Sequence, residues 1–212
     1  MTKKERKRKK KLQMKNKRLI KKYYWLLPRN VWTDKVPKDY DYTYTNWYIP
    51  PGWDKAFGNM LMEELGEAIK KYNIKNFRIL QMKEKFGEFR LYCRGNNEEI
   101  YNIITKYTYL SQNICILCGE PDVPMINTGG WISPYCLKCF SNFTDKKNKT
   151  KEEIEDMYNN SIDDTPNEDG NYLMATSYTI KRFSDDTVTT YDISETAKYI
   201  RKRYYRRIKY GN

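Results

Sequence analysis

Residues 113–140 read NICILCGEPDVPMINTGGWISPYCLKCF. Two Cys-x2-Cys pairs, Cys115/Cys118 and Cys136/Cys139, stand 17 residues apart in this stretch. Two residues between cysteines let one tight turn aim both sulfurs at a single point. Two such turns facing each other complete the tetrahedron that Zn²⁺ prefers, with Zn–S of about 2.3 Å. Gly119 follows the first pair, where a knuckle needs a residue tolerant of positive φ. Asn127-Thr128-Gly129-Gly130 supplies a hairpin tip between the halves, and Trp131 and Tyr135 are expected to cover the metal. All four ligands are cysteine, so no open position remains for a catalytic water, and a structural zinc ion is the expected cofactor. Four thiolates leave about −2 of charge around Zn²⁺, which Lys138 inside the second knuckle partly offsets. Cys93 is not needed for this centre and is expected in a core. Five cysteines, four of them paired by spacing, suit a reducing compartment and a metal better than disulfides.

Upstream, the apolar period is first helical. Phe57, Leu61, Leu65, Ala68 and Tyr72 recur at spacings of three and four, with Glu63, Glu67, Lys70 and Lys71 on the other side, which predicts a helix from Trp53 to Tyr72. Phe77–Lys83 (FRILQMK) and Phe89–Cys93 (FRLYC) then read as two strands turning at Gly87. Phe89, Leu91 and Cys93 share one face, and Arg90 and Tyr92 the other. Asn97–Ser111 is a second amphipathic helix, buried through Ile100, Ile103, Ile104 and Tyr107.

Taken together, GWDKAFGNMLMEEL (52–65), ILQMKEKFGEFRLYC (79–93), Ser111, the four cysteines and Trp131 resemble a recurrent family of bacteriophage and prophage proteins. In that family a KEKFG-type hairpin feeds a four-cysteine zinc ribbon. The matching residues are Gly52, Trp53, Gln81, Lys83, Glu84, Lys85, Phe86, Gly87, Arg90 and Tyr92, with Ser111, the cysteines and Trp131. Glu88 and Phe89 replace the Gly and Leu expected there. The likeness covers about residues 51–140; it implies a phage origin and the domain, and no reaction.

The flanks differ in character. Net charge is +13, and residues 1–22 supply +12 of it, with 13 Lys or Arg against Glu5 alone. Residues 198–212 add seven Lys or Arg without an acid, so the body between the two ends is mildly acidic. Such basic blocks repel themselves, stay extended and attract polyanions. Residues 1–22 are expected to be an arm, disordered or ordered by a partner. In the aromatic-rich segment 23–52, Tyr40, Tyr42 and Tyr44 alternate with polar residues as a short strand would. Their rings either cover the adjoining domain or form a platform on which bases stack. Residues 144–170 read as a solvated linker with a short helix around Glu152–Tyr158. Tyr172–Arg182 and Thr187–Tyr191 are expected to pair as a hairpin. Asp192 and Glu195 then form a capping box for a last helix, striped by Ile193, Ala197, Ile200, Tyr204 and Ile208.

The expected fold class is therefore α+β: a helix–hairpin–helix unit (53–112) joined to a four-cysteine zinc ribbon (113–143). A polar linker (144–170), then a β-hairpin plus basic helix (171–212), complete the chain. With no apolar stretch of membrane-spanning length and no secretory signal, a cytoplasmic place is expected, the host's if the chain is viral. The chain has no histidine, which removes the commonest general base and most catalytic triads. Nucleic-acid binding, to DNA or RNA and largely independent of sequence, is the leading expectation. Its candidate contacts are Lys7, Arg8, Lys9, Lys10, Lys11, Lys17 and Arg18 in the arm, Lys83, Lys85 and Arg90 at the hairpin, and Arg201, Lys202, Arg203, Arg206 and Arg207 at the end. A host protein or protein–RNA complex is the alternative partner. A metal-dependent nuclease using Glu84 with Glu63 or Glu67 is the third.

Overall fold

A computed structural model of the protein describes residues 1–142, 149–163, 177–181, 188–192 and 197–203. The chain is α+β. The centre is a helical run from Pro51 to Lys71, an antiparallel pair β1 (Arg78–Lys85) and β2 (Glu88–Arg94), and helix α4 (Glu98–Ser111). The helical run comprises a first turn α2 (Pro51–Trp53), a π-turn Asp54–Gly58 and α3 (Asn59–Lys71). Asp54 uses the widened turn to accept a hydrogen bond from the Trp47 indole at 3.0 Å. The apolar stripe expected of this helix is buried through Phe57, Leu61, Leu65 and Ala68, while Tyr72 at its end lies exposed.

The hairpin turns at Phe86 (φ 52°) and Gly87 (φ 78°), a two-residue connection with positive φ at both positions, whose twist matches that of the strands. Phe89 and Leu91 point into the core with Ile79 and Met82. The hairpin is fastened to α4 at Ser111: its hydroxyl accepts from the Phe89 N–H at 2.8 Å and donates to the Thr108 carbonyl. Between the helices, the buried Tyr107 hydroxyl donates to Glu64 at 3.0 Å, and Lys106 ion-pairs with the same carboxylate.

Residues 1–22, expected to be disordered or ordered only by a partner, are helical in the chain itself. Lys3–Lys22 is helix α1, opened by a capping box between Thr2 and Glu5. Its second half is anchored: Leu19 and Ile20 pack on the core, and the buried Asn16 amide donates to the Tyr42 carbonyl at 2.8 Å. The chain then enters the core through Tyr23, Trp25 and Leu26. The period-two reading of Tyr40–Tyr44 also fails. Tyr42 takes φ 66°, which no strand accepts, and the segment folds back so that Tyr40 meets both Tyr42 and Tyr44, with ring centres 4.9 and 5.2 Å away. The alternation reflected a compact aromatic turn beneath α1.

The cysteine stretch carries β3 (Met125–Asn127) and β4 (Ile132–Pro134), paired antiparallel around Gly129 and Gly130, and the single turn α5 (Leu137–Phe140). The short helix expected around Glu152–Tyr158 is present, and unlike a free linker the segment 149–163 is docked on the cysteine stretch. Thr150 and Glu153 form a capping box that starts α6 (Lys151–Asn159). Tyr158 stacks edge-on against Phe140 at 5.4 Å and donates to the Tyr135 carbonyl at 2.7 Å. The following residues run beside β3, with Ser161 and Asp163 bonded to Asn127 and Met125.

Strands β5 (Ser177–Lys181) and β6 (Val188–Asp192) pair antiparallel, as expected of the C-terminal hairpin. The connection between these strands, the capping partner Glu195, and Ile193, Tyr204 and Ile208 of the last stripe lie outside the described residues. Residues 197–203 are helical, with Ile200 buried and Ala197 half-buried against the core.

Candidate metal centre and basic surfaces

The two knuckles are built by turns of similar design. Cys115 N–H donates to the Glu120 carbonyl at 2.7 Å, and Gly119 N–H returns to the Cys115 carbonyl at 2.9 Å. Gly119 sits at φ 81°, the left-handed conformation that the spacing predicted and that glycine adopts without strain. In the second knuckle Cys136 caps α5, its sulfur accepting from Cys139 N–H at 3.4 Å. Ile116 N–H donates to the Pro134 carbonyl at 2.9 Å and ties the knuckles together.

The four sulfurs lie within 4.8 Å of one another, and Cys118 and Cys136 are 3.7 Å apart. A tetrahedron with metal–sulfur bonds of about 2.3 Å has edges of about 3.8 Å, so the cage has the size of a tetrathiolate metal site. Among the described residues it is the one converging group of three or more Cys, His, Asp or Glu side chains. Cys115, Cys136 and Cys139 are buried and Cys118 is half-exposed. The electrostatics favour a cation. Burial and the charge of neighbouring sulfurs push the Cys139 thiol up to about 12. The hydrogen bond from Cys136 brings Cys115 down to about 5, while donating that bond pushes Cys136 upward. Left to themselves, the cysteines share protons; a divalent ion lets all four ionise together.

The cover over this cage matches expectation at Tyr135 and departs from it at Trp131. Val123 and Tyr135 pack on the sulfurs, whereas Trp131 is 60% exposed and donates to the Ser133 hydroxyl. Lys138 is exposed, and Lys55, from the π-turn, reaches the Cys118 carbonyl at 3.1 Å. The cage is welded to the α+β unit at two residues. Gly52 N–H donates to the Ile116 carbonyl at 2.8 Å, and the buried Trp53 indole donates to the Ile114 carbonyl at 2.8 Å. A Cβ on Gly52 would collide with the Cys115 and Ile116 backbone. Neither that weld nor the contribution of α6 was read from the sequence, although the Thr150–x–x–Glu153 capping box marks where α6 starts.

The cations divide into three groups. Lys7, Arg8, Lys10, Lys11, Lys17 and Arg18 are exposed on α1, and Lys9 joins them while ion-pairing with Asp41 at 2.8 Å. Among the described residues, Lys9 is the single cation of α1 in an ion pair. Lys17 also stands 4.9 Å over the Tyr42 ring. Lys83, Lys85 and Arg90 share the outward face of the hairpin, where Arg90 ion-pairs with Glu88. At the C-terminal end, Arg201 ion-pairs with Asp122 beside the first knuckle, and Arg203 reaches the Ala56 carbonyl at 3.4 Å. Those two cations brace the fold. Lys202 is exposed, and Arg206 and Arg207 lie outside the described residues. Glu84, a candidate nuclease ligand, accepts from Gly87 N–H at 2.7 Å and so closes the hairpin turn. Glu63 and Glu67 are exposed on α3.

Among the described residues no helix is long and apolar enough to cross a membrane. Comparison with protein-family models, with curated proteins and with solved structures finds no match for this chain.

Proposed function

We propose that this chain is a phage-type zinc-ribbon protein that binds nucleic acid through its phosphates, with little sequence preference, and that a structural zinc ion occupies the four-cysteine cage. The observation that carries the binding role is α1. A helix of 20 residues is about 30 Å long, and its exposed cations are distributed around all its sides. Beyond the anchor at Gln13, Asn16, Leu19 and Ile20, residues 3–12 of the helix are exposed, tied back by the Lys9–Asp41 ion pair. A rod of about 10–12 Å diameter with cations all round fits a nucleic-acid groove, where both walls are phosphate. Zinc suits the cage because four thiolates in a tetrahedron, without an open position, match its preference and leave it no catalytic role. The terminal helix contributes less than its composition promised, since Arg201 and Arg203 are spent on Asp122 and Ala56.

The test is a titration of labelled single- and double-stranded DNA and RNA against zinc-loaded protein over a range of salt. The parent is compared with a variant in which Lys7, Arg8, Lys10 and Lys11 are all replaced by Gln. Each phosphate that the variant no longer neutralises should reduce the slope of log K against log salt by about 0.7–0.9. The variant therefore binds more weakly and with a flatter salt dependence. Equal affinity of parent and variant would overturn the role of α1. Absence of binding to every probe would overturn nucleic-acid recognition in favour of a host-protein partner.

A further inference from the structure

The outward face of the hairpin carries rings and cations together. Along the ladder Lys83 faces Arg90 and Gln81 faces Tyr92. The Lys83 ammonium lies 5.0 Å from the centre of the Tyr92 ring, which remains 45% exposed. At the tip Phe86 is 68% exposed beneath the Lys85 ammonium, 5.1 Å away. The acids of the hairpin are engaged internally: Glu84 holds Gly87 N–H, and Glu88 is paired with Arg90 and bonded by Gln112. The face is therefore electropositive, and its rings are open to solvent.

The base of the same hairpin ends in a corner of three arginines. The turn from Asn30 to Lys35 lifts Trp32 into solvent, where it is 91% exposed. Beneath it Arg29 donates to the Asp34 carbonyl at 2.9 Å, Arg94 donates to the Val31 carbonyl at 3.4 Å, and Arg78 ion-pairs with the Asp34 carboxylate. One carboxylate thus stands against three guanidinium groups. The Arg78 side chain is 8% exposed, so its pairing with Asp34 is shielded from water, whereas Arg29 and Arg94 are exposed. The corner therefore keeps an excess of positive charge at the surface, and because guanidinium groups pair strongly with phosphate oxygens, an anion placed here would offset it. Burial, then the like charges of Arg94 and Arg29, draw the Arg78 pKa below its ordinary value, the effect that a bound phosphate would oppose.

We propose that this face binds a short single-stranded stretch of nucleic acid, with a phosphate at the Arg29–Arg78–Arg94 corner and bases stacked on Trp32, Tyr92 and Phe86. The inference rests on the nucleic-acid role proposed above and specifies its substrate. Exposed rings select single strands because only an unpaired base can offer its flat face to them. The eight residues of β1 run about 26 Å, enough for about four nucleotides and within the usual site sizes for such platforms. In this arrangement α1 supplies attraction to any nucleic acid, and the hairpin face supplies the preference for unpaired strands.

The test uses the zinc-loaded full chain with labelled oligothymidylate and a labelled duplex, measured by fluorescence anisotropy. Trp32→Ala and Tyr92→Ala remove exposed rings, so their urea midpoints should equal the parent's. Each should weaken oligothymidylate binding by about fivefold to a hundredfold while leaving duplex affinity unchanged. Arg94→Gln should weaken single-strand binding and lower its salt slope by about one. The α1 variant should lose affinity for both probes. Ring variants that bind oligothymidylate as tightly as the parent would overturn the assignment of this face, even with nucleic-acid binding by the parent intact. A parent that binds neither probe would overturn the underlying role as well.

Discussion

Gly52→Ala sets two physical effects against each other. Gly52 lies in the first turn of the helical run, and on helix propensity alone alanine there would stabilise by up to about 1 kcal/mol. The local packing points the other way, because the added Cβ meets the Cys115 and Ile116 backbone, which cannot rotate aside as a side chain would. The helix start must lift from the first knuckle. Its hydrogen bond to the Ile116 carbonyl then breaks, at about 0.5–1.5 kcal/mol. The Trp53 indole bond to Ile114 stretches with it, leaving a buried carbonyl unmet at about 1–3 kcal/mol. After a propensity gain of about 1 kcal/mol, the net destabilisation is about 0.5–3.5 kcal/mol. With a urea m-value of about 2 kcal/mol/M for a protein of this size, the unfolding midpoint should fall by about 0.3–1.8 M. Urea titration of zinc-loaded parent and variant, followed by far-UV circular dichroism, measures it. A midpoint equal to or above the parent's would refute the weld between the helix start and the cysteine cage.

Two further outcomes follow from named groups. Metal removal should dismantle the cage region first, because Val123 and Tyr135 are nearly all that packs on the sulfurs: a strong chelator should release one zinc per chain and loosen α6, read as faster amide exchange over 149–163, and Cys136→Ala should release it without chelator. The anchor of α1 should survive mild acid, since the hydrogen bonds from Lys9 and then Thr43 hold the Asp41 carboxyl at about 2, below its ordinary value of about 3.9. Its depressed folded-state pKa makes the contribution complete above about pH 4 and lost as pH falls toward 2; an NMR titration of the Asp41 carboxyl with a midpoint near 4 would contradict the Lys9 contact.

Local chemistry made much of this protein legible from its residues. The cysteine spacing specified the cage, because two-residue knuckles can aim their sulfurs in few ways. The glycines at 87, 119, 129 and 130 marked turns, because each takes positive φ. Apolar periods of 3.6 and 2 placed α3, β1, β2 and α4, because each of those elements buries one face. Two segments misled for a shared reason: α1 carries its charges all round, so composition suggested an extended arm, and Tyr40–Tyr44 imitated a strand. Their conformations depend on partners distant in sequence, Asn16 with Tyr42 and Lys9 with Asp41, and no local pattern encodes such a pairing. The same holds for the Gly52–Trp53 weld, the docking of α6 through Tyr158, and the gathering of Arg29, Arg78 and Arg94 around Asp34. The sequence by itself determined the four-cysteine donor set and the order of the central elements α3, β1, β2 and α4. Tertiary structure alone decided which cations brace the fold and which face solvent, because that depends on where folding places each charge relative to carboxylates far along the chain.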